Sequence, residues 1–439
     1  MIIARSNKWT GAFELYKQFK LNDWILFGLL SVTNIAVPTT FSCMAPFFND
    51  VATNKGLTLS EVGIVFGVFN LGSTCGAIFF GKFISIFGCK KIFIFGMFFT
   101  SAATICFAFT NLIQSKYLYL ISTLTLRVLQ AFGSSAFLTC SYTLAARLFP
   151  NAISTLMGAF ETFSCIGYAV GPIIGSFFYT LGGYSLPFIV LSFTLFVIGL
   201  ISIFFISDLV DQKSNDQTLD DLENGGFKKL LSSKDILLLL GVVSIVGFTY
   251  TALDPILPLI LIKEFNLSFI KIGILFGLIS LGFAIVAPIY GYFIDNQNNA
   301  SHTLYIGGGL VTALSFYLMG IQIYPLFTLN LSSYTIILFL FGCSGCAIYV
   351  PTFKSLLDTV KAQAFPDTIT TTSYVSGAFS ASYNLGGFLG PIICSLIADY
   401  VGYKWTMTCV AVLVATYTII FTLLFILPKR RSKVGGEVV

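Results

Sequence analysis

Polar and apolar positions alternate along this chain on the scale of tens of residues. Apolar runs of about 20 residues recur from one end to the other, the length that crosses ~30 Å of hydrocarbon as a helix. Twelve such spans can be read, near residues 24–47, 61–80, 91–112, 118–142, 154–179, 187–206, 236–261, 271–290, 303–323, 333–356, 369–397 and 405–427. The pattern predicts an all-α, multi-pass membrane protein. The polar stretch at 207–235 divides the spans six and six, giving an N-terminal bundle (1–206), a linker and a C-terminal bundle (236–439).

Charge placement predicts the orientation. With both termini cytosolic, the cytosolic segments hold 18 Lys and Arg and the opposite side holds five, the bias of the positive-inside rule. That bias accounts for the net charge of +5 and makes a nucleic-acid partner unnecessary. Composition agrees, since 56% hydrophobic and 10% charged residues leave too little polar surface for a soluble chain of this size. Ten cysteines fall mostly within spans, where they act as small apolar residues, and His302 stands in a polar loop. No metal site, disulfide framework, cofactor or enzymatic constellation is expected. The N-terminus lacks the short apolar core of a cleavable signal. Asn266 and Asn330 lie in N-x-S sequons on the non-cytosolic side.

The halves repeat each other. LSEVGIVFGVFNLG (59–72) matches LSFIKIGILFGLISLG (267–282), aligning Gly63, Gly67 and Gly72 with Gly273, Gly277 and Gly282. GPIIGSFFYTLGGY (171–184) matches GPIICSLIADYVGY (390–403), aligning Gly171 and Pro172 with Gly390 and Pro391. Two six-helix units with the same helix direction resemble the major facilitator superfamily. The run Gly167, Gly171, Pro172, Gly175 in the fifth span resembles that superfamily's antiporter motif, which implies exchange of a substrate against protons. Physically, small residues four apart let two helices approach closely, and a proline permits a bend. The loop after span two, GKFISIFGCKK, and its counterpart after span eight, which carries Asp295, resemble the superfamily's gating loop in degenerate form. Gly81 and Gly291 are expected to mark tight turns.

Three charges lie deep in spans: Arg127 in the fourth, Glu161 in the fifth and Asp254 in the seventh. An ionisable group at such depth needs a partner or water and marks a functional site by default. Arg127 and Glu161, opposite in sign on consecutive antiparallel spans, are expected to be coupled. Pro255 and Pro258 follow Asp254 and predict a local break beside the carboxylate.

The segment LDPILPL in span seven resembles vesicular amine transporters, and the run RVLQAFGSS (127–135) resembles the fourth-span pattern of drug and amine antiporters. GAFETFSCIGYAVGPIIGSFFYTLGGYSLPFIVL (158–191), TNIAVPTTFSCMAPFF (33–48) and YVPTF (349–353) are similar to the vesicular polyamine branch. Where vesicular monoamine carriers hold acidic residues in spans one, ten and eleven, this chain holds Asn34, Tyr349 and Ser380. The resemblance therefore implies a proton-coupled antiporter of small organic cations, polyamines foremost, working as a monomer by alternating access in an acidic-organelle membrane. Asp254 and Glu161 would serve a ligand with more than one ammonium, and Tyr250, Tyr349 and Tyr383 would add cation–π contacts. A carrier of monoamine or drug-like cations and a non-transporting sensor on the same fold are the alternatives.

Overall fold

The computed structural model describes residues 21–148, 153–206, 232–296, 300–320, 330–363 and 369–428. Their backbone forms twelve long helices: α1 (Leu21–Ser42), α2 (Leu59–Phe87), α3 (Cys89–Ala108), α4 (Lys116–Leu148), α5 (Ile153–Gly182), α6 (Ser185–Phe205), α7 (Lys234–Phe265), α8 (Phe269–Asn296), α9 (Ala300–Gly320), α10 (Leu331–Ala362), α11 (Ile369–Val401) and α12 (Tyr403–Phe421). A short helix, Phe48–Asn54, follows α1, and a π-helical turn, Thr422–Ile426, extends α12. Eleven of the helices are long and apolar enough to cross a membrane on their own. The exception is α4, whose stretch from Arg127 to Ser135 is rich in polar and small residues. A helix of that kind spans only with its polar face turned to protein. Most of the proposed linker, 207–231, lies outside the described residues.

Helix ends are set locally. Thr58 caps α2 through the Glu61 amide while the Glu61 carboxylate returns to the Thr58 amide, a reciprocal capping box. Both sequon asparagines have capping roles. Asn330 accepts from the Ser333 amide at the start of α10, and Asn266 closes α7 at φ 48°. Two expectations fail here. Gly81 and Gly291 lie inside α2 and α8, because the apolar runs continue helically past them. The turn between α2 and α3 falls instead on Gly88, at φ 85°.

Three hydrophobic cores organise the bundle. One lies toward the end of the bundle remote from the start of α1 and the end of α12, and it draws on both halves: Phe47, Phe48, Val62 and Phe66 pack in one body with Leu253, Ile256, Leu257 and Ile260. Toward the opposite, terminal end the core divides. Leu26, Leu30, Ile92, Phe93 and Leu195 form a core of the first half alone, and Ile236, Leu239, Val243, Val360 and Phe425 form one of the second half alone. The halves are thus joined at the far end and packed separately at the terminal end.

The internal repeat explains the junction. Gly63 lies against the Pro391 carbonyl and Ser395, and Gly67 against the Phe388 carbonyl. Their counterparts repeat the arrangement, with Gly273 against the Pro172 carbonyl and Ser176, and Gly277 against the Ala169 carbonyl. Each half supplies a glycine pair to the other half's GPII segment, so α2 meets α11 and α5 meets α8 with backbones nearly touching.

Candidate functional site

The glycines of the fifth span fix α5 on α1. Gly167 faces the Ile35 carbonyl, Gly171 faces Thr39 and Ser42, and Gly175 faces the Cys43 backbone. Thr39 hydroxyl adds a 3.2 Å bond to the Gly167 carbonyl. In the second half, Gly390 stands against the Phe248 carbonyl and Thr251 of α7. These contacts hold α1 and α7, the helices that carry Asn34 and Asp254, at corresponding positions of the two halves.

Asp254 sits in mid-helix on α7, half-buried. Its carboxylate has no hydrogen bond or ion pair among the described residues. The expected break is absent, since α7 runs as one helix through Pro255 and Pro258. Leu253, Ile256 and Leu257 pack in the shared core, which keeps the helix continuous there. The prolines act through chemistry instead. Pro258 has no N–H to offer the carbonyl four residues back, which is that of Asp254 itself. Asn49, from the first half, donates a 3.0 Å bond to the Pro255 carbonyl next door.

Across the junction, Arg127 is the charge whose field acts on Asp254 among the described residues. Arg127 is 1% exposed. Its Nη1 donates to Gln130 Oε1 at 3.1 Å, and Gln130 passes on to Thr104 at 3.1 Å. Its Nε and Nη2 have no partner among the described residues. The rings of Phe41 and Phe69 lie 4.9 and 4.8 Å from the guanidinium carbon, with Phe107 at 6.0 Å. A cavity of about 10 Å³ adjoins it, between Val37, Thr40, Thr100 and Ser134, room for one water. Aromatic faces recover part of the desolvation cost of a buried cation. The side chain of Glu161 lies outside the described residues, as does that of Asp295.

On the terminal side of Asp254 the second half presents an aromatic cluster. Tyr250, one turn before Asp254, lies 6.3 Å from Phe283 and donates to the Gly342 carbonyl at 3.0 Å. Phe283 lies 5.9 Å from Tyr349, and Tyr349 lies 5.7 Å from Tyr383 and 4.9 Å from Phe379. All three predicted tyrosines therefore belong to one group with negative ring faces. Asn34 is 1% exposed; its amide N–H returns to the Leu30 carbonyl, while its oxygen finds no partner among the described residues. Ser380 is exposed on α11, one turn from Tyr383. Sequence reasoning missed Phe41, Phe69, Gln130, Phe283 and Asn49. The phenylalanines are indistinguishable in sequence from lipid-facing ones, whereas Gln130, three residues from Arg127, was a legible signal.

A family model described as the Major Facilitator Superfamily matches residues 30–366. The chain belongs to that superfamily. Among its relatives, the MFS-type transporter SLC18B1 of Mus musculus is 30% identical over 386 residues, covering 87% of this chain and 82% of the relative. The Homo sapiens protein of the same description is 28% identical over 386 residues, 87% and 82% of the two chains. These relatives accord with the resemblance to vesicular amine transporters. Among solved structures, a bacterial homolog of the human lysosomal transporter Spinster, inward-facing and unoccupied, superposes with a TM-score of 0.75 at 13% identity, covering 92% of this chain and 97% of the other. The nucleoside transporter NupG gives 0.70 at 11% identity, with 91% and 99% covered. This major facilitator is a membrane transporter and not an enzyme.

Proposed function

We propose that this transporter exchanges organic cations, polyamines foremost, for protons, with Asp254 binding cation and proton in turn. The observation that carries the reading is the half-buried Asp254 carboxylate, without a partner among the described residues and one turn from the aromatic cluster of Tyr250. A carboxylate in a low-dielectric setting holds a proton more readily than one in water and gives it up when a cation competes. The tyrosine faces offer a second place for positive charge, which suits a flexible ligand with two or more ammonium groups. Glu161 is a further candidate for that second charge.

One core shared at the far end and a divided core at the terminal end support alternating access. In this reading the halves, 1–206 and 236–439, rock as units, and the cleft between them opens alternately to each side. The positive-inside bias supports a cytosolic terminal end, and in that orientation the form with the far end closed is the one that loads from the cytosol. An acidic compartment on the far side would drive the exchange, with the protein acting as a monomer.

Purified protein in liposomes with an acidic interior tests the reading. Labelled polyamine uptake should collapse when the pH gradient is dissipated, and Asp254→Asn should abolish it while the variant stays folded. Asp254→Glu should retain part of the activity. Uptake of monoamines in preference to polyamines would select the alternative substrate class. Full uptake by the asparagine variant would overturn the role of Asp254.

A further inference from the structure

The guanidinium of Arg127 lies inside the first half with most of its donors unused. It is 1% exposed and, among the described residues, bonds through Nη1 to Gln130. Nε and Nη2 have no partner there. These two nitrogens form the side edge of the group, where two N–H bonds run in parallel toward a single acceptor position. On α3 the Thr100 hydroxyl, 2% exposed, is likewise without a partner among the described residues. Both side chains line the cavity of about 10 Å³, together with Thr40, Phe41, Phe69 and Ser134. Buried donors from two helices thus border one small space.

Among the described residues no group in contact with Arg127 cancels its charge. The fields that reach it come from Cys43, Asp254, Tyr184 and Tyr168. Thiols and phenols are ordinarily neutral near pH 7, so Asp254 is the one carboxylate of the four, and it stands on α7 in the other half without an ion pair to Arg127. The hydroxyls of Thr40 and Ser134 already donate to the Ala36 and Ala131 carbonyls, at 2.8 and 2.9 Å. A water in the cavity accepts two of the three unused donors with its two lone pairs and leaves the charge as it was. A monoatomic anion accepts all three and neutralises the cation, which offsets the cost of burying it.

We propose that this cavity is a chloride site, in which Arg127 Nε, Arg127 Nη2 and the Thr100 hydroxyl donate to one ion. Chloride is only slightly larger than water, so the space suits a single halide and is too small for sulfate or gluconate. The site has a consequence for cargo. Chloride beside Arg127 removes a positive charge from the field at Asp254, so a cation arriving there meets less repulsion. Anion and cation therefore bind with positive coupling, and by linkage each strengthens the other. The site itself stands on the geometry of the first half; its effect on cargo rests on the reading of Asp254 as the cation site.

Thermal unfolding of the purified full-length protein tests the site, with chloride replacing gluconate stepwise at constant ionic strength. The melting temperature should rise saturably with chloride and with bromide, and not with sulfate. Thr100→Val, which keeps the side chain's shape and removes the donor, should raise the chloride concentration required about fivefold. Arg127→Met should abolish the rise. Glu161→Gln and Asp254→Asn should keep it, since neither carboxylate holds the ion. Binding of a labelled diamine should tighten about fivefold or more in saturating chloride. A melting temperature indifferent to chloride, equal stabilisation by sulfate, or a chloride response that survives in Arg127→Met would overturn the site. Diamine affinity independent of chloride would overturn the coupling. A halide response with no diamine binding in any salt would leave the anion site standing and overturn the cation reading instead.

Discussion

Gly273 rests on the backbone carbonyl of Pro172, with Ser176 beside it. A methyl group at that position would strike both, and backbone cannot move aside as a flexible side chain can. Gly273→Ala should therefore weaken closure of the far end. Overpacking costs about 1–3 kcal/mol, enough to shift a balanced open–closed equilibrium by roughly one to two orders of magnitude. Label distances across the far end should lengthen and exchange should slow, with the melting temperature little changed.

Asn49 reaches the Pro255 carbonyl from the other half and is 1% exposed. Asn49→Ala removes a buried cross-half bond worth about 1 kcal/mol. A roughly fivefold fall in the closed-to-open ratio is expected. Uptake at saturating substrate, compared with binding measured in detergent, reports the change as a slower cycle with nearly intact affinity.

The charge relation between Arg127 and Asp254 predicts coupling. Each lies within the other's field, yet among the described residues Arg127 bonds only through Nη1 to Gln130, lies against phenyl faces and has no ion pair within bonding distance. Arg127→Met keeps much of the volume and removes a desolvated charge, so the folded protein should be as stable or more so in thermal melts. Binding should nevertheless change. A cycle of Arg127→Met and Asp254→Asn, read as cation affinity, should show an interaction of at least about 0.5 kcal/mol. Strict additivity would mean the two act independently.

The tyrosine cluster predicts a graded response. Tyr349→Phe retains the ring face, while Tyr349→Ala removes it and opens space beside Tyr383 and Phe379. Loss of a cation–π contact of about 1–2 kcal/mol should raise the apparent KM roughly 5- to 30-fold in the alanine variant. The phenylalanine variant should stay within about threefold of wild type by the same principle. Concentration-dependent uptake of a dication and a monocation distinguishes a general packing defect, which would affect both equally, from loss of a charge subsite.

The helices were legible because hydrocarbon imposes a length: each of the twelve spans overlaps one of the long helices, and of the repeated glycines Gly63, Gly67, Gly273 and Gly277 reappear as the inter-half contacts. Asp254 and Arg127 were legible for a related reason, since a charge at that depth is costly enough to be conspicuous. The proline break was not borne out, because a missing N–H removes one bond but does not decide whether surrounding packing keeps the helix continuous. Gly81 and Gly291 misled similarly, as helix ends depend on where the polar headgroup region begins. The cage around Arg127 was illegible in sequence. A chain with 47 phenylalanines gives no local sign of which three will turn toward a guanidinium.

The paired contacts of Gly63 with Pro391 and Gly273 with Pro172 also carry a historical consequence. Each half bears both the donor and the acceptor surface of the junction, so an ancestral single half meeting its own copy would form the same two contacts at once. In such a homodimer any substitution is felt twice, and neither contact can specialise. Fusion into one chain lifts that constraint. The marks of divergence lie on the acceptor segment itself: Gly175 stands where the other half has Cys394, Ser176 bonds to the Pro172 carbonyl while Ser395 has no partner among the described residues, and a carboxylate, Asp399, stands on one side where the other has Thr180. Asymmetry in this transporter is thus written onto a frame built from one repeated unit.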